Sequence, residues 1–420
     1  MYFKCKLSSC KKKFQTELHR IYHEEDDHEI IKPKKCKICK KQFERKSTFI
    51  RHQQLEHETN HLVEFLEERY RGIIVEPASR KIARREVQKV FDELGKYFGD
   101  GIFSNNFRKS GSYSTDTKVL HADEFDFDVP LRFCLEKLHL NREGKKVFYH
   151  FTQRQKTLNL NVPMKVVDTR SWEGIPQGYV EVVTEDGEKI VPRIIQEELY
   201  TNLLCAIKNV DGIVDVLKEP KGPALTVKIK KPGLPHITVD LSASISTNQV
   251  TLSDYKWPRE KTKIGLTKKL IKSINDAGLH LIPKNPKFWY ISVSRTGQAL
   301  MNGIDSNDNG CRKKCHKLLK ADFQTWLGRS SNNLPGISTM IFKHQLFWFN
   351  EDNPKLDWSP TKTAERYLDM LEDLGKRLRS GILYNYFKDY ENILQDRDLQ
   401  VLNQLANLVD ARRQELAMMG

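Results

Sequence analysis

Between Glu124 and Val129 the chain reads E-F-D-F-D-V, an acidic residue alternating with an apolar one. Side chains at i and i+2 of a strand share a face. A strand here puts Glu124, Asp126 and Asp128 on one side and Phe125, Phe127 and Val129 on the other. The apolar side must seal against a helix. The acidic side must be solvated or neutralised, because adjacent carboxylates repel. An edge strand with a solvated acidic face meets that demand. So does a site for a hard divalent cation, which takes oxygen ligands.

Upstream lies Gly111-Ser112. Glycine lets the backbone approach a phosphate, and the backbone N–H and the serine hydroxyl can bond to it. A phosphate loop followed by paired carboxylates is the arrangement for two-metal phosphoryl transfer. A third carboxylate strengthens that reading. The stretch HITVDLSASI is a strand by its β-branched alternation, and Asp240 is its only acid. A carboxylate near a core strand needs a metal or a base as partner. Glu124, Asp126 and Asp240 are therefore the expected ligands of Mg²⁺ (or Mn²⁺), with Asp240 also the base for an attacking hydroxyl. Asp126 with Asp128 is the alternative pair.

The first sixty residues carry a different signal. Cys5, Cys10, His23 and His28 read C-x4-C-x12-H-x4-H, and Cys36, Cys39, His52 and His57 read C-x2-C-x12-H-x4-H. A short Cys-Cys knuckle followed by two His one helical turn apart brings four ligands to one tetrahedral Zn²⁺. Phe14 in the first unit, and Phe43 and Phe49 in the second, supply the small core. The helix positions that would face bases are Arg45, Thr48 and Arg51 in the second unit. In the first they are Thr16, His19 and Tyr22, followed by EEDD. The second unit is suited to nucleic acid; the first is as well suited to a protein contact.

The chain has 420 residues, room for two or three domains, and a formal net charge of +15. Such a field favours polyanions, although a solvated Lys-rich surface is the plainer explanation. No stretch is apolar enough for a membrane span, and the first residues lack a signal-peptide run, so an intracellular protein, cytoplasmic or also nuclear, is expected. Leu62, Phe65, Leu66 and Tyr70 recur at helical spacing, as do Ile82, Val87, Val90, Phe91, Leu94 and Phe98, with Pro77 starting or kinking the second piece. Its polar face carries Lys81, Arg84, Arg85 and Lys89, either a solvated face or a phosphate-contacting one.

Gly-Ser, eleven residues, E-x-D and a distant strand Asp form the nucleotidyltransferase pattern. More narrowly, the chain resembles cyclic GMP–AMP synthase and the cGAS-like receptors of animals over roughly residues 62 to 400. The stretches that carry this are GSYSTDTKVLHADEFDFDVPL, ITVDLSAS, YKWPRE, LIPK, FWYISVS, CRKKCHKLLK and FKHQLFWF, in that order. The resemblance implies an α+β bilobed fold, a twisted mixed sheet with helices plus a helical C-terminal lobe, preceded by two ββα zinc fingers. The domains would be fingers at 1–58, a core with a spine helix at 62–255, and a helical lobe at 256–420.

By the same resemblance Glu124, Asp126 and Asp240 match the metal triad and Gly111 and Ser112 the triphosphate loop. Lys317 and Lys320 match lysines that contact nucleotide, and Ser292 and Ser294 match polar positions beside the bases. A double-stranded polyanion would bind the opposite face through its phosphates. Lys81, Arg84, Arg85 and Lys89 are candidates for that face. Lys256, Arg259, Lys261 and Lys263 are others, as are Arg312, Lys313 and Lys314. The implied function is a sensor that makes a cyclic dinucleotide such as cGAMP from ATP and GTP in innate immune signalling, with a homodimer on the duplex as a further expectation. Binding would order the Gly-Ser loop.

Departures matter. The loop MNGIDSNDNG lacks the His and Cys of the vertebrate zinc ribbon, which favours double-stranded RNA over DNA as the ligand. Cys311 and Cys315 read as helix-face thiols. Thr339 or Met340 stands where the family has a base-stacking tyrosine, and Tyr290 stands where it has an arginine. Competing functions are a linear nucleotidyltransferase of the oligoadenylate synthetase or tailing type, a non-catalytic nucleic-acid-binding scaffold, and a zinc-finger transcription factor.

Overall fold

A computed structural model describes residues 3–4, 13–14, 34–35, 40–44, 60–98, 101–135, 150–153, 156–159, 164–168, 179–184, 189–218, 222–232, 236–305, 310–328 and 334–419. All eight proposed zinc ligands, Cys5, Cys10, His23, His28, Cys36, Cys39, His52 and His57, lie outside the described residues, as do Arg45 and Arg51. Near them two short antiparallel pairs are described: β1 (Phe3–Lys4) with β2 (Lys13–Phe14), and β3 (Lys34–Lys35) with β4 (Gln42–Phe43).

Two helices follow, α1 (Asn60–Ile73) and α2 (Pro77–Phe98), and Pro77 opens the second at a position where its missing N–H costs nothing. Then come β5 (Arg108–Ser110), the single turn α3 (Gly111–Ser114) and the long β6 (Glu124–Leu135). β7 (His150–Gln153) pairs with β8 (Lys156–Asn159). Next are β9 (Met164–Asp168), β10 (Tyr179–Thr184), α4 (Pro192–Ala206), β11 (Ile213–Lys218), β12 (Ala224–Ile229) and β13 (Ile237–Thr247). The remainder is α5 (Glu260–Gly265), α6 (Lys268–Ala277), β14 (His280–Ile282), β15 (Trp289–Ser292), α7 (Ser294–Gly303), α8 (Cys311–Leu327), α9 (Met340–Asp352), α10 (Thr363–Ser380), β16 (Tyr384–Asn385), β17 (Lys388–Asn392) and α11 (Leu399–Ala417).

A nine-stranded mixed sheet organises residues 69–411, which form one unit. β13 is its centre. One edge pairs with β12 along Ile237–Ser242 and with β14 at Ile245 and Ser246; the other runs parallel to β6. β5 closes the far side of β6, while β15, β10 and β9 extend the sheet beyond β14. The alternation of β6 works as the sequence dictates. Phe125, Phe127 and Val129 are almost fully buried. Phe127 meets Phe91 of α2 edge-on at 4.4 Å, and Phe125 meets Tyr113 at 4.5 Å.

Two expectations differ from the structure. The sheet does not end at residue 255: β14 and β15 lie after that boundary and belong to it. Strands of three and four residues, buried but for Ile282, carry too little periodicity to be told from a helical lobe. The apolar stripe of α2 also omits Ile82, which is 37 % exposed; Ala83 and Glu86 take the buried positions instead. Glu86 is held there by Lys231 at 2.7 Å and Lys89 at 3.0 Å, and hydrogen bonding to Lys231 draws its pKa down to about 2 despite the cost of burial. The helical part, α8 to α10, is aromatic-rich, with Phe323 against Phe342 and Tyr367 fully buried. No helix of the described residues is long and apolar enough to cross a membrane.

Candidate active site

The site is built on three adjacent strands. In the parallel ladder of β6 and β13, Asp126 is the register partner of Asp240, and Glu124 is that of Thr238. On the other side Ser110 of β5 is opposite Asp126. Parallel neighbours in register point to the same face, so the ladder itself converges the carboxylates. One oxygen from each of Glu124, Asp126 and Asp240 lies within 4.8 Å of the others. The Thr226 hydroxyl on β12 donates to Asp240 Oδ1 and orients it.

Gly111 follows β5 at φ +63, and a Cβ there would sit 1.7 Å from Asp126 Oδ2. Both the backbone conformation and the space therefore require glycine. The turn it begins contacts α7. Burial, then the charges of Glu124 and Asp240, push Asp126 up to about 6. A cluster of hard oxygens whose members resist ionising together fits a divalent cation such as Mg²⁺. Asp128, on the same face, is engaged elsewhere. Arg295 of α7 reaches it at 3.3 Å and also bonds Ser244 and Ser246, which occupies the carboxylate that alternation alone left as a second candidate.

Lysines surround the carboxylates. Lys118, buried, donates to Glu124 Oε2 at 2.8 Å and pairs with Asp123 at 3.0 Å. Burial would lower its pKa, but those two partners raise it. Lys320 of α8 donates to Thr117 O at 3.0 Å; burial, then Lys118, bring it down to about 8. Lys317 points at Asp116 Oδ2, 3.1 Å away. Lys343 of α9 is lowered by burial and raised by Asp126, and a Cβ on Gly297 of α7 would lie 3.4 Å from its Nζ. Lys118 and Lys343 were missed from the sequence, since a lone lysine carries no periodic signal. Ser292 and Ser294 sit at the β15–α7 junction. The Ser294 amide donates to Ser292 Oγ at 3.2 Å, and Ser294 Oγ is 3.1 Å from His280 Nε2. The Tyr290 hydroxyl donates to Glu391, and Lys388 donates to that same hydroxyl. Cys311 and Cys315 are buried on α8, where the Cys311 sulfur lies 3.5 Å from the Thr363 hydroxyl and the Cys315 thiol donates to Thr363 O.

The cations expected to meet a polyanion separate into groups. Lys81 and Arg84 line one cleft with Lys317, and Arg85 is 71 % exposed beside them on α2. Lys89 bonds Glu86. Lys314 lies 5.0 Å from the Tyr70 ring centre, and Lys313 is 3.8 Å from Asp305. Lys256 is exposed, Lys261 is 3.8 Å from Asp352, and Lys263 pairs with Glu260. Two arginines face inward instead. Arg259 forks Glu351 at 2.7 and 3.1 Å, bonds Tyr386 O and stacks on Trp348. Arg312 bonds Asn350 and Ile304 O and stacks on Trp358. Planar guanidinium groups suit such packed positions better than lysine does.

The fold and the converging carboxylates define a nucleotidyltransferase domain. The family is that of the Mab-21 proteins: residues 113–303 match the Mab-21 protein nucleotidyltransferase domain, and residues 311–411 match the Mab-21 protein HhH/H2TH-like domain. The second match begins at α8, which places the lobe boundary later than the sequence suggested. Curated relatives include Protein mab-21-like 3 of Danio rerio, 24% identical over 234 residues, covering 54% of this chain and 57% of that protein. A Cyclic GMP-AMP synthase-like receptor of Magallana gigas is 23% identical over 343 residues, 77% of this chain and 54% of that protein. Mitochondrial dynamics protein MID49 of Xenopus laevis is 27% identical over 117 residues, 28% of this chain and 24% of that protein. The chain thus spans about half the length, or less, of these relatives.

Proposed function

We propose that this chain is a nucleotidyltransferase that makes a cyclic dinucleotide from nucleoside triphosphates when it binds a double-stranded nucleic acid, RNA in preference to DNA. The observation that carries the reading is the cluster of Glu124, Asp126 and Asp240 with Gly111 closed against Asp126. The named cGAS-like relative supports the product class. Glu124, Asp126 and Asp240 would hold Mg²⁺ or Mn²⁺, which when bound neutralises phosphate charge and acidifies the attacking hydroxyl.

The remaining roles belong to the chain. The Gly111 amide and Ser112 hydroxyl bind phosphate oxygens. Asp240, oriented by Thr226, takes the proton of the attacking hydroxyl. Lys320 and Lys343 compensate triphosphate charge from the helical side, Lys317 being turned to Asp116 instead, and Ser292 and Ser294 bound the base pocket. The domains then serve as Zn²⁺ fingers at 1–58, a catalytic core from residue 62 and a helical lobe to residue 420, with the boundary expected at 255/256 moved to α8.

The test is product formation from labelled ATP, GTP, CTP and UTP with Mg²⁺ or Mn²⁺, with no duplex, duplex RNA or duplex DNA. A small phosphatase-resistant product is expected with duplex RNA and none from a Glu124→Ala/Asp126→Ala variant. A ladder of linear products would move the protein to the tailing class, and duplex binding without any product would make it a scaffold.

A further inference from the structure

Tyr70, Arg80, Lys81, Arg84, Asp116 and Lys317 line a cleft of about 420 Å³ between α2 and α8. Its charged side chains are cationic with one exception, and the exception belongs to the Gly-Ser segment. Asp116 Oδ1 accepts from Arg80 Nη1 at 3.0 Å, and its Oδ2 accepts from Lys317 Nζ at 3.1 Å. Asp116 holds a backbone φ of +54, a region that L-residues adopt at a cost. Two ion pairs therefore keep it in a disfavoured conformation, although its side chain is 58 % exposed.

The cations are not saturated by it. Arg80 Nε is buried without a hydrogen-bond partner, and so is the Tyr113 hydroxyl on the same turn. Arg84 lies 5.0 Å from the Tyr113 ring centre. A carboxylate that presents one oxygen to a guanidinium and one to an ammonium occupies such cations as two phosphate oxygens would.

We infer that Asp116 is an internal competitor for the cations of this cleft, displaced when a phosphate of an incoming duplex takes Arg80 and Lys317. The inference rests on the duplex-sensing reading above and adds its trigger. The turn that carries Asp116 is tied to the metal carboxylates two residues later: Lys118 holds Glu124, and Thr117 bonds both Ser112 O and Lys320. Releasing Asp116 removes the tie from one end of this turn and lets Ser112 and Lys118 change position together. No exchange of atoms is involved, only of one anion for another.

The experiment uses the full zinc-loaded chain in the Glu124→Ala/Asp126→Ala background without Mg²⁺, so that the metal site does not contribute. Fluorescence anisotropy with labelled duplex RNA and duplex DNA, and calorimetry with inorganic pyrophosphate, are run on that protein and with added Asp116→Asn or Arg80→Gln. Removing the competitor should tighten duplex binding about fivefold, the scale of two ion pairs to a partly exposed carboxylate, and Arg80→Gln should weaken it. Hydrogen exchange of the 113–118 amides should change on adding duplex to the parent, and Asp116→Asn should show that change without duplex. Duplex binding that Asp116→Asn leaves unchanged or weakens overturns the competitor and leaves the sensing reading standing. No duplex binding, with pyrophosphate tightened by Asp116→Asn, keeps the phosphate site and its competitor but overturns the duplex as ligand. Neither ligand responding to either substitution overturns the site.

Discussion

At the scale of single residues, chemistry here depends on atoms that leave no room. Gly111 cannot gain a methyl group without striking Asp126 Oδ2. Gly111→Ala should cut product formation about 100-fold, because a displacement near 1 Å at a reacting centre has that effect, and the positive φ together with the clash should also lower the thermal midpoint by about a few degrees. Asp126 gives a pH signature. Its folded pKa is raised to about 6, so the folded protein holds a proton that the unfolded chain has lost. Without metal, stability should therefore fall as pH rises from the ordinary aspartate value through about 6. With Mn²⁺ the order inverts, since the cation needs the carboxylate, and affinity in a Mn²⁺ titration should weaken as pH falls through about 6 and lose that dependence in Asp126→Asn. The three acids were legible because strand period two and the β-branched run around Asp240 place them. Asp116 and Lys118 were not, because their roles come from a turn whose φ values no local pattern announces.

At the scale of elements, β6 shows how a strand supports a costly face. Glu124, Asp126 and Asp240 gain nothing by being together without a cation, so the opposite face must stabilise the strand. Phe127 is 5 % exposed and lies against Phe91. Phe127→Ala should cost about 3–5 kcal/mol in urea unfolding, by lost transfer energy and a cavity, whereas Phe127→Leu should cost much less. The existence of α2 and β6 and the face each buries could be read from periodicity. β14 and β15 could not: His280, Trp289 and Tyr290 are buried in strands of three and four residues, and only pairing with β13 and β10 defines them. The segment therefore looked like the start of the helical lobe.

At the scale of the molecule, a charge of +15 would favour a polyanion without saying where one would land. The structure divides the candidate cations by what already holds them. Glu351 is buried and receives Arg259, Thr262 and Tyr386; burial alone would raise its pKa, and those three bonds lower it instead. Arg259→Ala would strand that carboxylate and should cost about 3–5 kcal/mol of stability. Lys261 and Lys263 are at least half exposed, and their acidic neighbours, Asp352 at 3.8 Å and Glu260 at 2.6 Å, are surface partners. Replacing either by Ala should change stability by no more than about 0.5 kcal/mol. If a duplex phosphate does meet one of them, its loss should flatten the slope of log affinity against log salt by about one unit per contact. Measuring both quantities on the same variants separates two meanings of a basic residue. A large loss of stability with an unchanged salt slope marks a structural cation, as expected for Arg259. The reverse would mark a surface that nucleic acid covers. Of the exposed cations, Lys81, Arg84 and Arg85 are the ones expected to show the reverse most clearly, because they stand on the helix that also touches the Gly-Ser turn through Tyr113. On the proposed function, an anion bound there would act on the same segment that adjoins the acidic cluster, so affinity and catalysis should fall together when these three are replaced, whereas at Lys261 and Lys263 affinity alone should fall.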